Sequence, residues 1–260
     1  MFDVKIQRLN HDTRLWRVAE QTPHTLIREL LATRDLLLVL TYGRPPYKVV
    51  LGAPHQAVIG VSRICEQRRD EAGRIKARHA DDNVASYALV AFSQLRVRDI
   101  PCKLVIMAHP TRHDPNKVAA SPYCREIFSE QTELLFECHA SGSSRQLELE
   151  LSAGSNPLGQ PLDFGRRLAA SFEYRYSLGL QTSPKDNNAL IIQPDGVTVG
   201  GKLQLPATKT ISLIEAGRRN IPALHLEAKP RFRVPKNLTN SVSPDGLILG
   251  RAIAQTIQSF

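Results

Sequence analysis

The chain has 260 residues, 42% of them hydrophobic, and 34 Lys and Arg against 25 Asp and Glu give it a formal net charge of +9. That is enough apolar material for one large α/β domain with a full core. No apolar run approaches the roughly 20 residues of a membrane span, and the stretch MFDVKIQRLNHDTRLWRVAE lacks the apolar centre of a secretory signal, so a cytoplasmic protein is expected.

In chain order, residues 1–33 read as a lead-in to a single domain over 1–260, with a helix near 24–33. DLLLVLTYG (35–43) and YKVVLGAP (47–54) are β-rich runs separated by the turn residues RPP. Both lean apolar, as central strands buried on two faces do. SRICEQRRDEAGRIKARHADD (62–82) is the densest basic run, but it interleaves acids and has few aromatics. It reads as a solvated loop and helix face, and nucleic acid is not expected as a partner. Residues 80–97 place Val84, Tyr87, Ala88, Ala91 and Leu95 at helical spacing.

CKLVIMAH (102–109) is another buried strand, and SPYCREIFSEQ (121–131) a short helix with Ser121 as cap and Pro122 at its first position. ELLFECH (133–139) follows as a strand. QLELELS (146–152) alternates strictly, which predicts one wet face and a place nearer an edge. Residues 162–175 are helical, 188–206 are β-rich, and 208–222 form a helix ended before Pro222. ALHLEAKPRF (223–232) is a strand running into a loop, and 245–260 an amphipathic helix. Interleaved strands and helices predict a three-layer α/β fold with a central mixed sheet flanked by helices.

Chemically capable residues gather where such folds bind ligands, at the carboxyl ends of strands. His55 closes one strand, His139 another, and Glu227 closes ALHLE. Asp81 and Asp82 open the helix at 80–97, and HDPNK (113–117) follows a buried strand. Two imidazoles and a carboxylate suit one divalent ion, Zn²⁺, with a coordination position left for water. His55, His139 and either Asp81 or Asp82 are the expected ligands, with Asp82 favoured, small Ala85 lying one turn on. Glu227 is the expected proton carrier. Asn116 and Lys117, with Arg112 and Arg231, are expected to hold a small anionic substrate, an acyl-amino acid or a peptide. Arg63 and Arg233 are further anion-contact candidates.

Plainer readings exist for each residue. A histidine can be a satisfied core residue, Asp81 and Asp82 can be helix N-terminal charges, and Glu227 can pair with Lys229 or Arg231 at the surface. Asn116 and Lys117 can be turn residues. His225, two residues before Glu227, shares its face of the strand.

Pro54-His55, the downstream aspartates, RHDPNK, LLFECHASGS and ALHLEAKPRFR occur in an order that resembles the N-formylglutamate amidohydrolases, a family similar in fold to the zinc carboxypeptidases. The resemblance spans roughly residues 47–233. It implies a phosphorylase/hydrolase-like fold, a histidine ligand at Pro-His, a second at His139, a substrate-binding loop at 114–117 and a catalytic carboxylate at Glu227. Two departures stand out. Asp114-Pro115-Asn116-Lys117 replaces Asp-Leu-Asn-Arg, so a point charge replaces a bidentate fork. Glu137-Cys138-His139-Ala140 replaces Asp-x-His-Ser.

Other motifs fail on context. GVTVGGK (196–202) has P-loop letters but is followed by Leu203, not Ser or Thr. SGSSR (141–145) is no nucleophile elbow, and no GxGxxG fingerprint is present. Four widely spaced cysteines, Cys65, Cys102, Cys124 and Cys138, form no CxxC pair and read as reduced thiols. The sequence therefore points to metal-dependent cleavage of an N-acyl amino acid. A peptide-cleaving carboxypeptidase and a non-catalytic anion- or nucleic-acid-binding protein on the same fold are the rivals. Oligomeric state is not legible.

Overall fold

The computed structural model describes residues 2–8, 11–18, 36–57, 59, 64–69, 72–73, 75–79, 81–108, 114–142, 148–176, 190–193, 196–199, 207–237 and 241–260. Its strands are β1 (Phe2–Arg8), β2 (His11–Val18), β3 (Leu36–Tyr42), β4 (Val49–Ala53), β5 (Gln56–Ala57), β6 (Ile64–Arg69) and β7 (Ile75–His79). They continue with β8 (Asp81–Asp82), β9 (Cys102–Ala108), β10 (Leu135–Ala140), β11 (Leu149–Ser152), β12 (Leu190–Gln193), β13 (Gly196–Val199) and β14 (Ala223–Ala228). The helices are α1 (Ala85–Val97), α2 (Pro122–Ile127), α3 (Pro161–Tyr176), α4 (Ile211–Arg218) and α5 (Pro244–Ser259), with single 3₁₀ turns at Pro115–Lys117 and Pro230–Phe232.

Ten strands form one mixed sheet in the order β12-β13-β11-β14-β10-β4-β9-β3-β1-β2. The middle block β14-β10-β4-β9 is parallel and the strands outside it pair antiparallel. The parallel strands are the apolar runs of the sequence, and alternate residues feed two cores. Leu51, Leu104, Ile106, Phe136, Cys138, Leu224 and Leu226 join one, packed under α1, α3 and α5. Val50, Val105, Met107, Leu135 and Ala223 join the other, with Tyr123, Cys124 and Ile127 of α2 and Leu213 and Ala216 of α4. That is the three-layer architecture: helices on both faces of a sheet buried on both sides.

Local chemistry places the helices. Ser121 accepts from Cys124 N at 3.0 Å and Ser243 from Gly246 N at 3.0 Å, each with proline at the first helical position. Gly250 lets α5 approach α1 closely, since a Cβ there would lie 2.6 Å from Tyr87 O.

Three expectations differ from the structure, and a fourth is not tested by it. Residues 2–8 and 11–18 are not a lead-in: β1 and β2 pair antiparallel at the end of the sheet. The expected helix at 24–33 lies outside the described residues. The basic run forms the antiparallel hairpin β6–β7, not a loop and helix. β11 lies toward one edge, third from the end of the sheet between β13 and β14, but its polar residues Glu150 and Ser152 are 2% and 1% exposed. Its alternation marks a buried polar face, not a wet one. Among the described residues no helix is long and apolar enough to cross a membrane.

Candidate metal and catalytic site

Strand register assembles the site. β10 and β14 run parallel with Glu137 beside His225 and His139 beside Glu227. β11 then sets Ser152 beside His225 and Glu150 beside Glu227. Period-two alternation puts all six on one face of the sheet, near the carboxyl ends of β10 and β14. His55 enters from the turn after β4. The two-residue strands β5 and β8 pair in parallel, and Asp81 N donates to His55 O at 2.7 Å, which brings Asp81 next to His55.

Three side-chain atoms converge there. His55 Nδ1 and His139 Nδ1 each lie 3.4 Å from Asp81 Oδ2. All three atoms are buried, and none makes a hydrogen bond among the described residues. Leaving a buried polar atom unpaired costs about 1–3 kcal/mol, so three together are hard to explain by packing alone. A divalent cation suits them: nitrogen, nitrogen and oxygen donors within 4.8 Å of one another.

The far nitrogen of each histidine faces a carboxylate. His55 Nε2 is 2.5 Å from Asp114 Oδ1 and His139 Nε2 is 3.5 Å from Glu137 Oε2. Such carboxylate–imidazole pairs orient metal ligands and fix which nitrogen presents its lone pair. Burial pushes the His55 imidazole down, but Asp114 and Asp81 outweigh it and raise it to about 9. Burial also opposes charge on Asp81, yet the His139 and His55 imidazoles hold its carboxyl well below the usual range. The Glu137 carboxyl is likewise held low, against burial, by His139 and His225.

Glu137 is anchored on its other oxygen by Tyr123 OH at 2.8 Å. Gly52 makes room for that contact: a Cβ at Gly52 would sit 2.0 Å from the Tyr123 hydroxyl. Glu227 is 3% exposed, so the surface-pair reading of this residue does not apply. Its Oε1 is 3.0 Å from His225 Nε2, and its Oε2 makes no hydrogen bond among the described residues.

The structure sorts the remaining sequence candidates. Asp81, not Asp82, faces the histidines, because neighbours in an extended segment point to opposite sides. The pair does not open the helix either, since α1 starts at Ala85, whose N–H is capped by Gln56 Oε1 at 2.7 Å. Asn116 is 2% exposed and lies inside the site, Nδ2 3.4 Å from both Glu137 Oε2 and His139 Nε2. Lys117 Nζ pairs with Asp114 Oδ2 at 3.0 Å, the same carboxylate that backs His55. Arg112 and Arg63 lie outside the described residues. Arg231 is drawn elsewhere, to Asp245 at 3.0 Å and Glu148 at 3.6 Å, where it ties the 3₁₀ turn after β14 to the start of α5.

Arg233 is a backbone clamp instead of an anion contact. Its NH1 donates to Asp82 O at 2.7 Å and its NH2 to Ser141 O at 3.1 Å, joining the segments that carry Asp81 and His139. Sequence reasoning gave no role to Glu137 or Tyr123, and it put Asp114 on a substrate-binding loop, not behind His55. Glu137-x-His139 carried a signal, being two residues of one strand face. Tyr123, on a helix across the site, carried none.

No family model matches the chain, and no curated protein matches it. Among solved structures, an N-formylglutamate amidohydrolase from Ralstonia eutropha aligns at 10% identity and a TM-score of 0.48, over 86% of this chain and 96% of the other. A metallo-carboxypeptidase from Pseudomonas aeruginosa aligns at 11% identity and a TM-score of 0.46, and one from Burkholderia cenocepacia at 15% and 0.43. Both cover 86% of this chain, which spans only 60% of the length of either carboxypeptidase.

Proposed function

We propose that this protein is a zinc-dependent amidohydrolase that cleaves the amide bond of a small N-acyl amino acid, an N-formyl one among them. One observation carries the reading. His55 Nδ1, Asp81 Oδ2 and His139 Nδ1 are buried, convergent and without hydrogen bonds among the described residues, while the opposite nitrogen of each histidine faces a carboxylate.

His55, Asp81 and His139 would hold the ion, with Asp114 and Glu137 keeping the two rings turned. Such an ion supplies Lewis acidity towards a water molecule and a carbonyl oxygen. Glu227, on the neighbouring strand, takes a proton from the attacking water on Oε2. As the C–N bond breaks, Glu227 returns that proton to the departing nitrogen, giving a carboxylic acid and a free amine. Asn116 and Lys117 hold the substrate carboxylate, Lys117 sharing its charge with Asp114.

The test starts with metal content, for wild type and for the His55→Ala/His139→Ala double variant purified without added metal. About one zinc per chain in wild type and none in the variant is expected. Zinc at a hundredfold excess over its dissociation constant then stabilises wild type alone by about 2.7 kcal/mol. N-formyl and N-acetyl amino acids are next screened against short peptides. Turnover of peptides only would make the protein a carboxypeptidase. No zinc in either protein, even after reconstitution, would leave a non-catalytic binding protein.

A further inference from the structure

A second group of potential ligands lies beside the first: Glu137, His139 and His225, all buried. It is poorly shaped for an ion. The His139 and His225 rings stack with centroids 4.0 Å apart and planes 26° from parallel. Imidazole lone pairs lie in the ring plane, so stacked rings aim them side by side. An ion at the usual distance of about 2.1 Å from both nitrogens would sit well out of each plane. The cluster therefore needs another explanation.

The contacts of His225 supply it. Its ring is sandwiched by position: His139 lies against its face, and Glu227, two residues on along β14, lies at its edge. Nε2 is 3.0 Å from Glu227 Oε1, whereas Nδ1 is 3.9 Å from Glu137 Oε2 and makes no hydrogen bond among the described residues. Only one of the two nitrogens is thus engaged, and it is engaged by the carboxylate assigned to proton transfer. The stack on His139 fixes the ring plane, so the Nε2–H direction is fixed with it.

We propose that His225 is a positioning residue for Glu227: its Nε2–H holds Oε1, so that Oε2 is the oxygen presented to the reacting water. This rests on the amidohydrolase reading for its consequence, though not for the contact itself. A carboxylate on a strand has side-chain torsions to lose, and a fixed donor on one oxygen removes the choice of which oxygen acts. Placement of this kind is worth orders of magnitude in rate when the group must meet a proton in flight.

Two variants separate the parts of the claim. His225→Phe keeps a flat ring on His139 and loses the donor; His225→Gln returns an N–H to the same place. With zinc loaded and N-formyl-L-glutamate and the screened N-acyl amino acids as probes, His225→Phe is expected to bind zinc as wild type does. It is expected to keep KM within about threefold and lose roughly 10–100-fold in kcat, part of the 10²–10⁴ that general acid–base catalysis supplies. His225→Gln recovers most of that loss. Combined with Glu227→Gln, His225→Phe adds no further loss, because a residue acting through Glu227 has nothing left to position.

A readout without metal or substrate stands beside the kinetics. In metal-free, isotope-labelled protein, Glu227→Ala is expected to shift the His225 Nε2 resonance and leave the fold intact. An unmoved resonance overturns the inference, as do additive losses in the double variant, a His225→Phe kcat within twofold of wild type, or two zinc ions bound per chain. Should wild type load zinc and hydrolyse nothing, the amidohydrolase reading fails by itself, and the resonance still decides whether His225 holds Glu227.

Discussion

The two ends of the parallel strands treat buried charge in opposite ways. At the amino end of β9, Lys103 is 1% exposed, yet its Nζ donates to Glu126 O at 2.9 Å, Ser129 Oγ at 2.7 Å and Glu130 Oε2 at 2.7 Å. A second carboxylate oxygen, Glu126 Oε1, lies 2.8 Å away. Every proton of that ammonium has an acceptor. At the carboxyl ends of β4 and β10, equally buried groups leave His55 Nδ1, Asp81 Oδ2 and His139 Nδ1 without hydrogen bonds among the described residues. The first end is finished by the chain itself. The second leaves three converging donor atoms unmatched among the described residues, and the proposed metal site rests on that contrast.

The contrast can be broken at the finished end. Lys103→Met keeps the volume but takes the buried ammonium away from the Glu126 and Glu130 carboxylates, of which Glu126 keeps Lys5. Removing one partner of a buried ion pair costs about 3–5 kcal/mol, and Glu130 is partly solvated, so about 3 kcal/mol is expected. Urea unfolding measures it. Zinc stoichiometry should not change, because the substitution lies at the other end of the sheet. Zinc lost along with stability would mean that the two ends are not independent, and a loss below about 1 kcal/mol would mean that the Lys103 network contributes no more than a surface pair.

Gly52→Ala sharpens the comparison from inside the sheet. The new methyl would meet the Tyr123 hydroxyl at 2.0 Å, and that hydroxyl anchors Glu137, which faces His139. Overpacking of this kind costs about 1–3 kcal/mol. Displacing a carboxylate that backs a ligand lowers metal affinity by about 10–100-fold. Calorimetric titration with zinc reads the second effect. Adding Tyr123→Phe, which takes away the offending oxygen, should recover stability and leave affinity low. If affinity recovers too, Glu137 does not act through Tyr123.

Much of the scaffold was legible because its signals are local. The central strands are largely apolar runs, and β3, β4, β9, β10 and β14 fall where those runs lie. Serine–proline pairs mark the starts of α2 and α5. What escaped has physical reasons. In β1, Phe2, Val4 and Ile6 alternate with Asp3, Lys5 and Gln7, but so short an alternation becomes a sheet strand only through its long-range pairing with β3. In β6 and β7, ICEQRR and IKARH carry so much charge that hydrophobic periodicity has little to register. In the site, strand-end histidines and Glu227 could be picked out by position. The choice of Asp81 over Asp82 could not, since it depends on the pairing of β5 with β8, and no local pattern encodes which face of a two-residue strand turns inward.

The smallest effect tests whether the finished end is electrostatic in the way its distances suggest. Burial raises the Glu126 carboxyl, but Lys103 and then Lys5 outweigh it and hold it below the ordinary 4.5. Lys5 Nζ lies 2.9 Å from Glu126 Oε2, so one carboxylate ties β1 and β9 to α2. The sign follows from proton counting. In acid, below the unfolded value, the unfolded chain holds more protons on this group than the folded one, so stability rises with pH there. The contribution is fully present above the unfolded value and is lost as pH falls through the lowered folded one. Glu126→Gln should therefore destabilise by about 1 kcal/mol near neutrality, the upper range for pairs that solvent and salt still reach. The gap between variant and wild type should close as the medium is acidified, and it should narrow in high salt. Urea unfolding at a series of pH values measures it. A gap that stays constant into acid would show that Glu126 contributes through packing and its backbone carbonyl, leaving Glu130 as the partner that neutralises Lys103.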